Sequence, residues 1–147
     1  MSLKMGFKAA IAATPLLKNA YKEGLQALGS YSVKVKPTDT KKCEGSVDID
    51  VAVKAVYPEE SRWDYAIGYD GKTYFIEIHS AETSQVTPVL KKFVWLKDFL
   101  VTEASELNKE NKRFYWIASG RTQILKGSVQ ERKLALSGIM LVGQLNL

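Results

Sequence analysis

The spacing of apolar residues changes several times along the chain, and each change predicts a new element. Thr14-Pro15 offers an N-cap followed by proline at the first helical position. Leu16, Leu17, Ala20, Tyr21, Gly24, Leu25 and Leu28 then recur at helical spacing up to Gly29, which predicts a helix over 14–29. Residues 5–13 fit a short helix ahead of it. From Ser46 to Val56 the period is two, with Val47, Ile49, Val51, Val53 and Ala55 on one side, and this predicts a strand. Tyr57–Ser61 interrupt it. Arg62–Tyr69 and Lys72–Ser80 read as two strands of a hairpin around Asp70-Gly71, a strong turn signal.

Ser84 and Thr87-Pro88 open a long helix to Leu107, with Val89, Leu90, Phe93, Val94, Leu96, Leu100, Val101, Ala104 and Leu107 as its apolar side. Asn108–Lys112 is a polar loop, and Arg113–Ser119 a short apolar run suited to a buried strand. A helix over Val129–Leu136 and a strand over Ile139–Leu145 complete the chain. A strand–helix–strand step after an antiparallel meander implies an α/β fold, a mixed sheet flanked by helices. No repeat or linker divides residues 1–147, so a single domain is expected; Met1-Ser2-Leu3 reads as an expression remnant and carries no weight.

Composition narrows the chemistry. At 46% hydrophobic and 25% charged, the 147 residues suit one globular core and exclude a disordered or low-complexity chain. One cysteine, Cys43, excludes an internal disulfide, and one histidine, His79, excludes a multi-histidine metal site. No apolar run reaches the length of a membrane span, and Lys8 interrupts the N-terminal apolar stretch, so the expected setting is cytoplasmic, away from membranes. Net charge is +5 but uneven: residues 1–42 carry eight Lys against Glu23 and Asp39, whereas residues 43–80 carry eight acids against Lys54, Arg62 and Lys72. An acidic centre between basic flanks suits a cation site beside an anion-attracting surface.

The hairpin concentrates that acidic centre. If Asp70-Gly71 is a two-residue turn, Tyr69 pairs with Lys72, Asp64 falls opposite Glu77 and Arg62 opposite His79. Asp64, Ala66, Gly68, Phe75, Glu77 and His79 then share one face, and Trp63, Tyr65, Ile67, Tyr74, Ile76 and Ile78 the other, apolar one. The two carboxylates would lie about 5 Å apart at Cβ, where like charges destabilise a sheet unless a cation, a shared proton or solvent offsets them. Magnesium suits the first case, being a hard ion often held by one or two carboxylates plus phosphate oxygens. Asp48 and Asp50, on the polar side of the preceding strand, extend the acidic cluster.

Trp63-Asp64 and Glu77-Ile78-His79, 13 residues apart across a hairpin and followed by a long helix, resemble the motif of the PD-(D/E)XK nuclease superfamily, the restriction-endonuclease-like proteins. The resemblance implies that family's mixed sheet in the order α-β-β-β-α-β. It also implies a divalent metal, Mg²⁺ or Mn²⁺, held by Asp64, Glu77 and the backbone carbonyl of Ile78. A Glu on the first helix often joins the site, and Glu23 matches that position. Trp63 stands where the family has Pro, and His79 where it has Lys. A lysine ammonium is a permanent cation, whereas histidine, with a reference pKa of about 6.5, is largely neutral at pH 7. His79 would therefore act as a base or a ligand, and Lys91 or Lys92 on the next helix would supply the missing charge.

Ser119-Gly120-Arg121-Thr122 lacks the lysine of a phosphate loop, and Phe114, Tyr115 and Trp116 alternate within one apolar strand, which suits packing better than base stacking. Two functions fit the sequence. In the first, Asp64 and Glu77 hold a metal for phosphodiester hydrolysis, His79 and Glu23 assist, and Arg62, Lys91 and Lys92 hold the backbone of DNA or RNA. In the second, the same fold is catalytically degenerate and binds nucleic acid or protein. The resemblance also implies a homodimer, the form in which many relatives cut.

Overall fold

The computed structural model describes residues 5–147, so the reading of residues 1–3 lies outside the described residues. Helix α1 (Phe7–Ala12) is followed by strands β1 (Val35–Lys36) and β2 (Cys43–Asp48) and the short helix α2 (Ile49–Val53). Strands β3 (Tyr65–Tyr69) and β4 (Lys72–His79) form the hairpin. Helices α3 (Val86–Glu103) and α4 (Ser105–Asn108), strand β5 (Asn111–Ala118), helix α5 (Val129–Ser137) and strands β6 (Ile139–Val142) and β7 (Leu145–Asn146) follow. A five-stranded sheet has the order β2-β3-β4-β5-β6, antiparallel from β2 to β4 and parallel from β4 to β6. The α/β class and the mixed sheet are therefore as the hydrophobic pattern implied. β1 and β7 pair in parallel as a separate two-stranded sheet.

The hairpin register holds. Tyr69 pairs with Lys72, Ile67 with Tyr74 and Tyr65 with Ile76. Asp70 and Gly71 both take positive φ, 48° and 76°, as a type I′ turn requires. The one irregularity lies in β2, between Cys43 and Gly45, and leaves this ladder intact. Gly68 serves packing: a Cβ there would stand 2.4 Å from Cβ of Phe7, so α1 lies against β3 only because that side chain is missing.

Several expectations give way. The helix over 14–29 does not form: Thr14 Oγ1 donates to Ala10 O at 2.8 Å, spending the supposed N-cap hydroxyl on the end of α1. One turn follows, Lys22 bridges to Ser46, and Gly24 takes φ 53°, so the segment reaches only a 3-10 stretch over Gln26–Lys34, kinked at Gly29. The strand over Ser46–Val56 stops at Asp48, whose carboxylate accepts from Val51 N at 2.9 Å and caps α2. Ile49 and Val53 are buried four residues apart while Val51 is 68% exposed, a helical pattern that alternation imitates. The final strand splits, because β7 leaves the main sheet for β1.

Both faces of the sheet are covered. Ala66, Phe75 and Trp116 pack with Phe7, Val89, Phe93, Leu96 and Leu100 in the larger core, while Ile67, Ile76, Ile78 and Ile117 pack with Leu28, Val35 and Leu145 in the smaller. The face expected to be partly polar thus carries the main core. Trp63 belongs to it as well, because strand alternation ends at Tyr65 and the chain turns below that point. Along α3, Phe99 is buried, whereas Val94 and Val101 face outward, and a break at Ala104 separates α3 from α4.

Candidate active site

The site lies where the β3–β4 ladder ends. Backbone pairing stops at Tyr65, and the two carboxylates take over the linking role. Asp64 N donates to Glu77 Oε1 at 3.2 Å, and Ile78 N donates to Asp64 Oδ2 at 3.0 Å. The start of α2 fixes Asp64 from behind, with Ile49 N donating to Asp64 O at 2.8 Å. Each carboxylate therefore has one oxygen tied to the opposite strand and the other turned to a common point. Lys92, from the second turn of α3, fills that point: its Nζ lies 2.5 Å from Glu77 Oε2 and 3.8 Å from Asp64 Oδ1.

His79 completes the cluster at the end of β4. Its Nδ1 is 3.6 Å from Glu77 Oε2, and its Nε2 is hydrogen-bonded to Gln85 Oε1 at 2.7 Å. Trp116 on β5 donates from Nε1 to His79 O at 3.0 Å and sets its ring edge-on to the imidazole, 6.3 Å between centroids. Glu77 is fully buried, while the side chains of Asp64, Lys92 and His79 keep 19%, 22% and 28% of their surface, so the cluster opens to solvent on one side.

Charge in this cluster is unbalanced, two carboxylates against one ammonium. Burial, and then the charge of Asp64, pushes the Glu77 carboxyl up to about 8, although Lys92 and the Asp64 amide pull it down. Burial also raises Asp64 against the opposing pull of Lys92 and the Ile78 N–H. Lys92 is held above the ordinary lysine value: its burial disfavours the charge, but Glu77 and Asp64 outweigh that loss. A fold does not gain stability by leaving a surplus carboxyl in its interior, so such a group marks a candidate functional site.

The other sequence candidates are placed as follows. Arg62 lies outside the ladder and not opposite His79; its Nε donates to Asp50 Oδ1 at 2.6 Å and its Nη1 to Tyr57 O at 2.7 Å, which ties its guanidinium to the 57–62 loop. Lys91 is exposed on the outer side of α3, beside Trp95 and Asp98. Glu23 is exposed in a turn rather than on a helix, where its charge bears on the Tyr21 phenol. The helix expected to carry Glu23 is absent from the described residues, and the Glu23 side chain makes no hydrogen bond or ion pair with Asp64 or Glu77. Asp48 and Asp50 both reach Asp64 electrostatically, but one caps α2 and the other pairs with Arg62. Gln85 and the Trp116 N–H were not foreseen: Gln85 lies in a polar stretch with no period, and Trp116 reads only as core.

Among the described residues no group of three or more His, Cys, Asp or Glu side chains is arranged to hold a metal. The side-chain donors are two carboxylates, Asp64 and Glu77. Ile78 N–H points to the Asp64 side, and in a strand the carbonyl of the same residue points the same way. This all-oxygen set suits a hard ion that keeps several waters, as magnesium does, and the Lys92 ammonium already stands as a cation between the two oxygens. Comparison of the chain with protein-family models, with curated proteins and with solved structures finds no match in any of the three.

Proposed function

We propose that this protein is a metal-dependent nuclease that hydrolyses phosphodiester bonds of nucleic acid. The observation that carries this reading is the paired orientation of Asp64 and Glu77, each with one oxygen fixed by a backbone N–H and the other turned to a shared cation. Two antiparallel strand pairs followed by a parallel one, with a long helix between β4 and β5, support the resemblance to the restriction-endonuclease-like fold.

Asp64, Glu77 and the Ile78 carbonyl are the groups that would hold Mg²⁺ or Mn²⁺. Such an ion, when bound, supplies an activated water and offsets charge at phosphorus. The chain's own contributions are distinct. Lys92 provides a permanent positive charge, close enough to stabilise a phosphoryl oxygen at the solvent-facing side. His79, held by Gln85 and Trp116, presents Nδ1 to the Glu77 carboxyl and can hold or pass a proton there. Lys91, free on the surface of α3, is available to the nucleic-acid backbone, whereas Arg62 supports the loop behind the site.

The test is cleavage of single- and double-stranded DNA and RNA with Mg²⁺ or Mn²⁺. The expected outcome is cleavage of at least one substrate that stops on chelation and is absent in Asp64→Asn. Cleavage that survives both chelation and Asp64→Asn would remove the proposal, as would no cleavage of any substrate.

A further inference from the structure

We infer that Lys92 is a tethered cation that holds the two-carboxylate site until a divalent ion takes it, so that lysine and metal compete for the same two oxygens. This inference rests on the metal-dependent reading above and specifies how the site is loaded. Asp64 Oδ1 and Glu77 Oε2 are the oxygens left over once Asp64 Oδ2 and Glu77 Oε1 have been committed to Ile78 N and Asp64 N. Lys92 Nζ contacts both of the leftover oxygens. A divalent ion using those oxygens and the ammonium cannot share one position, and two cations a few ångströms apart repel.

The surroundings permit the exchange. Lys92 is only partly covered, with 22% of its side chain exposed, and its flexible stem leads from the open side of the cluster. Glu77, by contrast, is fully buried on a central strand and cannot withdraw. When the ion enters, the ammonium therefore moves and the carboxylates stay. It moves toward solvent, where a bound phosphate would lie, so the loading step itself delivers a cation to the substrate side. In the free protein the same ammonium offsets part of the carboxylate charge.

Two measurements on the full chain test this. Equilibrium binding of Mn²⁺ alone, followed by the electron paramagnetic resonance of the free ion, is expected to tighten at least about tenfold in Lys92→Met, since a competing charge has gone. On the unaltered protein, which avoids any folding defect of the variant, the rate at which acetic anhydride modifies Lys92 is expected to rise several-fold on saturation with Mg²⁺. Mn²⁺ binding that is no tighter in Lys92→Met, or Lys92 modification that is unchanged or slowed by Mg²⁺, overturns the competition while leaving a metal site in place. Absence of Mn²⁺ uptake by both proteins overturns the competition together with the metal-dependent reading.

Discussion

Replacing Glu77 by Gln is expected to give a protein that melts at a higher temperature above pH 8 and no longer cuts nucleic acid. Glutamine has the shape of a protonated glutamate, and the fold holds Glu77 protonated up to about 8, against 4.5 in an ordinary setting. Between those values the folded protein keeps a proton that the unfolded chain has released. The stabilisation is complete below the lower value and is lost as pH rises through the upper one. Asp64, also raised, acts with the same sign. Glu77→Gln cannot ionise, so its stability profile should be flatter across that window and higher by on the order of a few kcal/mol on the alkaline side. Lys92 keeps Asp64 as a partner.

Activity should move the other way. Loss of one oxygen that fixes charge at the reacting centre costs about 10²–10³-fold in rate at the least. Calorimetric melting across pH 5–9, paired with cleavage rates in Mn²⁺, checks both halves. A lower melting temperature for Glu77→Gln above pH 8 would mean that Glu77 is a structural partner of Lys92 and nothing more.

The second large effect concerns support of the site. Trp116→Ala is expected to cost about 3–5 kcal/mol, from the loss of a fully buried indole in the larger core. That is a sizeable part of the 5–15 kcal/mol (roughly) that a domain of this kind has in hand. Trp63 is equally buried, but its Nε1 has no hydrogen-bond partner, whereas Trp116 Nε1 donates to His79 O. Trp63→Phe should therefore cost less than Trp116→Phe, because only the second removes a hydrogen bond along with the lost volume. Urea unfolding midpoints of the three variants decide this, and equal losses for the two Phe variants would contradict it.

The parts of this fold that were legible in the sequence are those where one local signal acted alone. Asp70-Gly71 demands positive φ twice, so the turn set the register and with it the meeting of Asp64 and Glu77. The runs that became α3 and β5 were readable because each has one period, although the reading of α3 ran past the break at Ala104. Misreadings arose where two signals competed. Thr14 is a good N-cap residue, but its hydroxyl found a carbonyl of the preceding helix first. Val47 to Val53 satisfies a period of two and, at Ile49 and Val53, a spacing of four; the Asp48 cap decided for the helix.

The site shows the same division. Glu77 and His79 follow from strand alternation, which is a local rule, whereas Asp64 lies one residue before β3 and meets Glu77 through the backbone–carboxylate bonds that continue the ladder. Lys92 was one of two adjacent lysines on a helix, and only the rotation of α3 against the sheet chooses it over Lys91. Glu23 was placed by a helix that does not form. Gln85 reaches His79 from the short 3-10 turn over Thr83–Gln85 ahead of α3, which no periodicity encodes.

The most direct test is a crystal of the protein grown above pH 8 and soaked in Mn²⁺, with diffraction measured at the manganese absorption edge. The account requires an anomalous peak bonded to Asp64 Oδ1 and Glu77 Oε2, with the Lys92 ammonium turned away from both. Lys92 still seated between the two carboxylates, with no peak there at saturating Mn²⁺, would contradict it.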